Sequence, residues 1–348
     1  MIDPHVHLRD WEQREKETLA HGLNVAASCG IDEVFDMPNT QPPLTGKETI
    51  CKRLDDAERI GSPVRYHLYG GLTPISEQIR EVASLAMDLF PHVVGLKLFA
   101  GHSTGNMGMV TQEQQANLYR TLREVGYEGV VAIHCEKESL LHPELYDPSD
   151  FSSHSLARPV EAEVASVGDQ LRISQEEGFK GHLHICHLSS IEALHVVERA
   201  RRQGVRISCA VTPHHALLCS DDAKQRSLCA KMNPPLRSET ERSALFAAVL
   251  DGRIDWIESD HAPHTLLDKE RGASGISGFS GMLLFVKRLL EAGASETLLK
   301  QLLGQRVQEI FGLPLRDITI PAYDDLALLS EKSAREYPWD SYSNLRLL

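Results

Sequence analysis

Met1-Ile2-Asp3-Pro4-His5-Val6-His7-Leu8-Arg9-Asp10 opens the chain: a short apolar stretch carries two histidines at its tip, and an arginine and an aspartate follow at once. Residues two apart on an extended strand point to the same side, so both imidazoles can converge on one ion at about 2.0–2.1 Å, the usual zinc–nitrogen distance. Two ordinary polar histidines would look the same in isolation. Here the pattern recurs. Short β-rich runs at about 2–5, 33–37, 64–69, 94–99, 130–134, 183–187, 206–211 and 255–259 alternate with longer helical patterns. Val160, Val164, Val167 and Leu171 repeat at helical spacing, as do Leu118, Leu122 and Val125, which fits amphipathic helices outside a parallel sheet.

Eight βα units argue for a TIM (β/α)8 barrel. The structural alternative, an open doubly wound sheet, usually carries a Gly-rich phosphate loop after its first strand, and none is present. Polar residues fall where barrel enzymes gather their chemistry, at the C-terminal ends of strands. His5 and His7 end run 1, Asn39 follows run 2, Lys97 lies in run 4, His134 ends run 5 and His187 ends run 6. His214-His215 follow run 7 and Asp260 follows run 8. The barrel is expected over residues 1–312, with 313–348 as a short C-terminal appendage in which Ile318-Thr319-Ile320 and Leu326-Ala327-Leu328-Leu329 are candidate short strands.

A chain of 348 residues with 42% hydrophobic and 24% charged residues has ordinary globular composition. Its formal net charge of −13, with no basic block, argues against a nucleic-acid partner. No apolar run approaches the roughly 18 residues needed to span a bilayer, and the opening reads as core strand rather than signal peptide, so no membrane partner and a cytoplasmic location are expected. Seven cysteines without a Cys-x-x-Cys pair read as reduced thiols, which fits a reducing compartment.

Four histidines and a carboxylate exceed the three protein ligands of a usual mononuclear catalytic zinc, which makes a two-metal site plausible. Two cations need a bridge. Lys97, in Gly95-Leu96-Lys97-Leu98-Phe99, could supply one if carbon dioxide converts its amine to a carbamate. Taken bare, a lysine inside an apolar strand reads as a snorkelling or ion-paired side chain.

The motifs Asp3 to Asp10, Met37-Pro38-Asn39-Thr40, Lys97-Leu98-Phe99, Thr212-Pro213-His214-His215, Lys231-Met232-Asn233-Pro234-Pro235-Leu236-Arg237 and Asp260-His261-Ala262-Pro263-His264 together resemble the dihydroorotase family of the amidohydrolase superfamily. They run in the family's order over about residues 1–312. Met-Pro-Asn-Thr and Asn-Pro-Pro-Leu-Arg are more specific than the metal ligands, which many cyclic-amide hydrolases share. The resemblance implies a TIM barrel, two divalent ions, usually zinc, and reversible cyclisation of N-carbamoyl-L-aspartate to L-dihydroorotate in de novo pyrimidine biosynthesis. It further implies His5, His7 and Asp260 on one ion, His134 and His187 on the other, and carboxylated Lys97 between them. Arg9 and Asn39 would hold the substrate carboxylate and His264 would complete that pocket. Asn233 stands where relatives use a polar or basic substrate contact, and backbone groups around Ser277 and Gly278 would touch the pyrimidine ring. Asp260 would act as general base and then general acid.

Several other residues have plainer readings. Cys135 and Cys186 adjoin proposed ligands but, by strand alternation, should pack against helices; His182 and His184 should be hydrogen-bonded core or rim histidines. His214-His215 fits a structural hydrogen bond as well as catalysis. Ser103 and Thr104, between Gly101 and Gly108, fit either a loop over the substrate or a solvent loop.

Three rival functions stand beside the family reading. A hydantoinase or allantoinase would share the metals but not need the Arg9 and Asn39 carboxylate clamp. A catalytically silent homologue serving as a structural partner of another pyrimidine-pathway enzyme would be expected to have lost ligands, and all six are present. A metal storage or sensor module would not assemble a substrate clamp beside the ions. Longer relatives begin with strands that pair into a small β-sandwich, whereas this sequence opens at the first barrel strand; a homo-oligomer or a complex with another pathway enzyme fits that difference.

Overall fold

The computed structural model describes residues 1–102 and 107–346. Among them eight parallel strands pair in sequence order: β1 (Ile2–Val6), β2 (Glu33–Asp36), β3 (Arg65–Gly71), β4 (Val93–Ala100), β5 (Val130–Cys135), β6 (His182–Ile185), β7 (Ile207–Val211) and β8 (Trp256–Ile257). A helix follows each strand on the outside, from Leu19–Ser28 after β1 to Phe279–Glu291 after β8. This is the TIM barrel. Strands covered on both faces need continuous apolar runs, and all eight residues of β4 are buried. Gly95 within it is a packing requirement: a Cβ there would lie 2.8 Å from the Val130 carbonyl oxygen on β5. Thr18, Ser190 and Ser238 cap helices, and Thr111 makes a capping box with Gln114, so local sequence fixes where these helices begin.

The helices expected from the leucine and valine spacing span Gln112–Glu124 and Val160–Glu176. Only β8 is markedly shorter than its apolar run. Asp260 takes a left-handed φ of 47°, which no strand residue adopts, and the chain leaves the ladder to aim its side chain inward. Between β1 and β8 the barrel closes through one bridge, Val6 to His261, with the His7 amide donating to the His261 carbonyl at 2.7 Å. The Ser259 amide donates to Asp3 Oδ1 at 3.0 Å across the same seam.

The C-terminal segment departs from expectation. Residues 318–320 form no strand, and Leu326 to Leu329 lie in a helix, Tyr323–Arg335. Asp324 and Asp325 favour the helix N-terminus, and the buried Leu326, Ser330 and Ser333 recur at helical rather than alternating spacing. This helix packs along Phe279–Glu291, where Ser330 Oγ donates to the Ser280 carbonyl at 2.8 Å. Among the described residues no helix is long and apolar enough to cross a membrane.

Candidate metal centre and substrate pocket

Strand ends bring the two halves of the opening motif and its distant counterpart together. His7 Nε2 lies 3.0 Å and His5 Nε2 3.3 Å from Asp260 Oδ1, and the ligand atoms of all three lie within 4.8 Å of one another. Across the barrel, His134 Nδ1 faces His187 Nε2 at 3.2 Å. The four imidazoles form one chain, with ring centroids 5.3 Å apart from His7 to His5, 5.2 Å from His5 to His187 and 4.9 Å from His187 to His134. Lys97 lines the same cavity as these residues and Asp260.

Burial pushes the His5 imidazolium down to about 4 and lowers His134 and His187 as well, so all three present neutral nitrogens. Burial opposes ionisation of Asp260, but His5, His7 and His214 outweigh it and hold the carboxyl below the usual carboxylate range. Neutral imidazoles and an ionised carboxylate are the protonation states that ligate a divalent cation. Two further observations fit such ions. His187 Nδ1 is buried with no partner, and the fully buried Lys97 has no carboxylate within 4.0 Å among the described residues; its hydrogen bond runs to Cys186 Sγ at 3.2 Å. An isolated ammonium in such a place is costly, whereas a carbamate ligating cations is not.

Two carboxylates behind the imidazoles escaped the sequence reading. Glu258 accepts from His5 Nδ1 at 2.9 Å and from the His187 amide at 2.7 Å, with His184 Nε2 and Trp256 Nε1 on its other oxygen at 3.3 and 3.2 Å. Glu136 accepts from His134 Nε2 at 2.9 Å and is clamped by Arg158, one of whose contacts is 2.5 Å. The available signal was position: Glu258 precedes Asp260 by two residues in an apolar run, and Glu136 follows His134 by two.

Arg9 and Asn39 line the same cavity. Arg9 donates from Nε to the Pro263 carbonyl and from one Nη to His264 Nε2, both at 3.2 Å. Asn39 Oδ1 lies 2.6 Å from His7 Nδ1, so it also fixes how His7 is turned. Burial, then the charge of Arg9, pushes His264 far below its ordinary range; its Nε2, whose lone pair takes the Arg9 N–H, also lies 3.1 Å from the Ser274 carbonyl oxygen. Asn233 lines the cavity and holds His154 Nε2 at 2.8 Å. Of the loop after β8, Ser274 and Gly275 face the cavity, while Ser277 and Gly278 do not line it. The Gly278 amide donates to His261 Nδ1 at 3.1 Å and its carbonyl accepts from Met282.

Cys186 corrects the alternation argument. It faces the interior beside Lys97, His5 and Glu258, the same face as His184, whose Nε2 also reaches Glu258; His187, with a φ of 36°, is the residue that leaves the alternation and turns inward too. His182 and His184 are hydrogen-bonded to Ser208 at 2.9 and 3.0 Å. His215 bonds Thr212 Oγ1 at 2.8 Å and the Pro234 carbonyl at 3.0 Å, whereas both ring nitrogens of the buried His214 lack a partner. Ser103 and Thr104 lie outside the described residues.

No protein-family model matches the chain. It is 34% identical over 345 residues to a dihydroorotase of Brevibacillus brevis, covering 94% of this chain and 77% of that protein. Against a dihydroorotase of Thermococcus kodakarensis the identity is 35% over 278 residues, 80% of this chain and 59% of the relative. Among solved structures, an L-hydantoinase (dihydropyrimidinase) from Arthrobacter aurescens superposes with a TM-score of 0.81 at 23% identity, over 92% of this chain and 72% of the other. A D-hydantoinase gives 0.77 at 20% identity over 92% and 73%, so these two similarities speak to the fold.

Proposed function

This chain belongs to the dihydroorotase family of the amidohydrolase superfamily, and from that membership we propose that it interconverts N-carbamoyl-L-aspartate and L-dihydroorotate as a step of pyrimidine biosynthesis. It is a cyclic-amide hydrolase of a superfamily that is metal-dependent. We assign catalysis to the barrel of residues 1–312, with 313–348 as its appendage. The observation that carries the reading is convergence: His5, His7, Lys97, His134, His187 and Asp260 share one cavity with Arg9 and Asn39.

In this reading His5, His7 and Asp260 would hold one cation and His134 and His187 a second, with Lys97, as a carbamate, placed to serve both; zinc suits the nitrogen and oxygen donor set. Divalent cations held there would polarise the amide carbonyl and lower the pKa of water, supplying a nucleophile at neutral pH. Asp260, ionised and within 3.0 Å of His7 Nε2, accepts the proton of the attacking water and returns it to the departing amide nitrogen. Ring closure runs these transfers in reverse. Arg9 offers a planar fork of donors to the substrate carboxylate, which orients the ring amide over Asp260. Asn39 and Asn233 line that carboxylate pocket, His264 backs Arg9 from behind it, and Ser274 and Gly275 form its wall.

Purified protein supplied with zinc and bicarbonate is assayed on dihydroorotate, hydantoin and allantoin side by side. Dihydroorotate should be the preferred substrate. Arg9→Met should cripple its hydrolysis far more than that of any uncharged cyclic amide, since losing a charged hydrogen bond costs about 1.5–3 kcal/mol. Good turnover of hydantoin or allantoin without turnover of dihydroorotate, unchanged in Arg9→Met, would overturn the assignment in favour of a neutral-substrate amidohydrolase.

A further inference from the structure

Glu17, in the loop after β1, is buried, yet none of the proposed ligand or substrate contacts involves it. Its carboxylate gathers three donors: His261 Nε2 at 3.2 Å, His21 Nδ1 at 3.2 Å and the Tyr337 hydroxyl at 2.8 Å, the last from the C-terminal segment. Burial opposes its ionisation, but His261 and the hydrogen bonds of His21 and Tyr337 hold it down at about 2. An anion that can only accept requires the proton of His261 on Nε2. That leaves Nδ1 as a lone pair, and Nδ1 accepts the Gly278 amide at 3.1 Å. The ring has no freedom to turn, for it stacks on Phe279 with centroids 3.9 Å apart and planes 6° from parallel.

The backbone around His261 completes the linkage. Its carbonyl accepts from the His7 amide, and the next residue, Ala262, donates to Ile276 at 2.7 Å. Asp260 on one side and, through Ile276, the Ser274–Gly275 wall on the other are thus tied to one residue, and the contacts of its ring with Glu17 and the Gly278 amide fix how that ring is turned.

We propose that Glu17 is a positioning residue for substrate recognition: through the fixed tautomer of His261 it holds the Gly278 amide and the pocket wall at a set distance from Asp260, and Tyr337 holds Glu17 in place. The C-terminal segment therefore acts on substrate binding without touching substrate. This inference rests on the dihydroorotase reading of the wall, and its test separates the two.

Glu17→Gln, Tyr337→Phe and the double variant are compared with the unmodified enzyme for metal content, melting temperature, and KM and kcat on dihydroorotate. An amide can present N–H to His261 and so releases the tautomer; the hydroxyl deletion only loosens the carboxylate. Glu17→Gln should raise KM about tenfold, the factor that 1.4 kcal/mol represents, with metal content unchanged and kcat within about threefold. Tyr337→Phe should raise KM less, and the double variant should be no worse than Glu17→Gln alone, because both changes break one chain of contacts. Unchanged KM in a folded, metal-replete Glu17→Gln overturns the proposal, as do additive effects in the double variant or a kcat loss with unaltered KM. If Glu17→Gln does not fold, an unaltered KM in Tyr337→Phe overturns it equally. An unmodified enzyme that fails to turn over dihydroorotate refutes the functional reading instead.

Discussion

Glu258 shows how a single buried carboxylate orders a site. It takes one imidazole N–H from His5 and the backbone N–H before the His187 ring, so it orients one side chain from each proposed ion position. Partners of this kind fix the tautomer and aim of a ligating imidazole, and their loss typically costs about 10- to 100-fold in metal affinity. Glu258→Gln should bind zinc weaker by about that factor in a competition titration against a chelator, with the folded far-ultraviolet spectrum retained; equal affinity would show that packing alone aims His5. The ligand candidates were readable from the sequence because residue type and strand-end position coincide in them. Glu258 was not, because a glutamate in an apolar run looks the same whether it accepts four N–H groups or anchors a surface ion pair. Cys186 was misread for a related reason: alternation holds only while the strand lasts, and His187 breaks it with a left-handed backbone.

The strands and their helices were legible almost throughout, because a buried parallel strand and an amphipathic helix have different periods. The loops that join them to the site were not, since their form depends on contacts from elsewhere in the chain. At Gly101, just after β4, φ is 135° and a Cβ would come within 1.9 Å of the Glu136 carbonyl oxygen beyond β5. Gly101→Ala should therefore push the Glu136 support away from His134 and destabilise the protein by about 1–3 kcal/mol, measured by denaturant unfolding. The loop after β8 is stapled by Lys269, whose Nζ donates to the carbonyls of Lys231, Ala273 and Gly275 at 2.9, 3.1 and 2.8 Å, below the Trp339 ring. Burial pushes this ammonium down from 10.5 to about 7. Between those values the unfolded chain holds a proton that the folded one does not, so stability rises with pH over that window, and below about 7 the cost of the buried charge is present in full. The melting temperature of the unmodified protein should gain on that of Lys269→Met between pH 7 and pH 9; a constant difference would mean that the lysine does not titrate there.

Taken as a whole, the chain spends its order unevenly around the barrel. Seven strand pairs have ladders, whereas the join between β1 and β8 rests on one bridge and on side chains, and the three residues His5, His7 and Asp260 face each other across it. A cation held there would bind the folded form alone and stabilise it by RT ln(1 + [L]/Kd), about 4.1 kcal/mol at a thousandfold excess over Kd. Chelation should lower the melting temperature and zinc should restore it; in hydrogen exchange the loss of protection should concentrate in β1 and β8. An even loss over all eight strands would argue against ions at this join. His7 and Asp260 are 253 residues apart in sequence. Contacts of such separation form late, after the intervening chain has paid its loop-closure entropy. The proposed ligand cluster is thus complete only when both ends of the barrel have met, and a partly folded chain that lacks either end cannot assemble it.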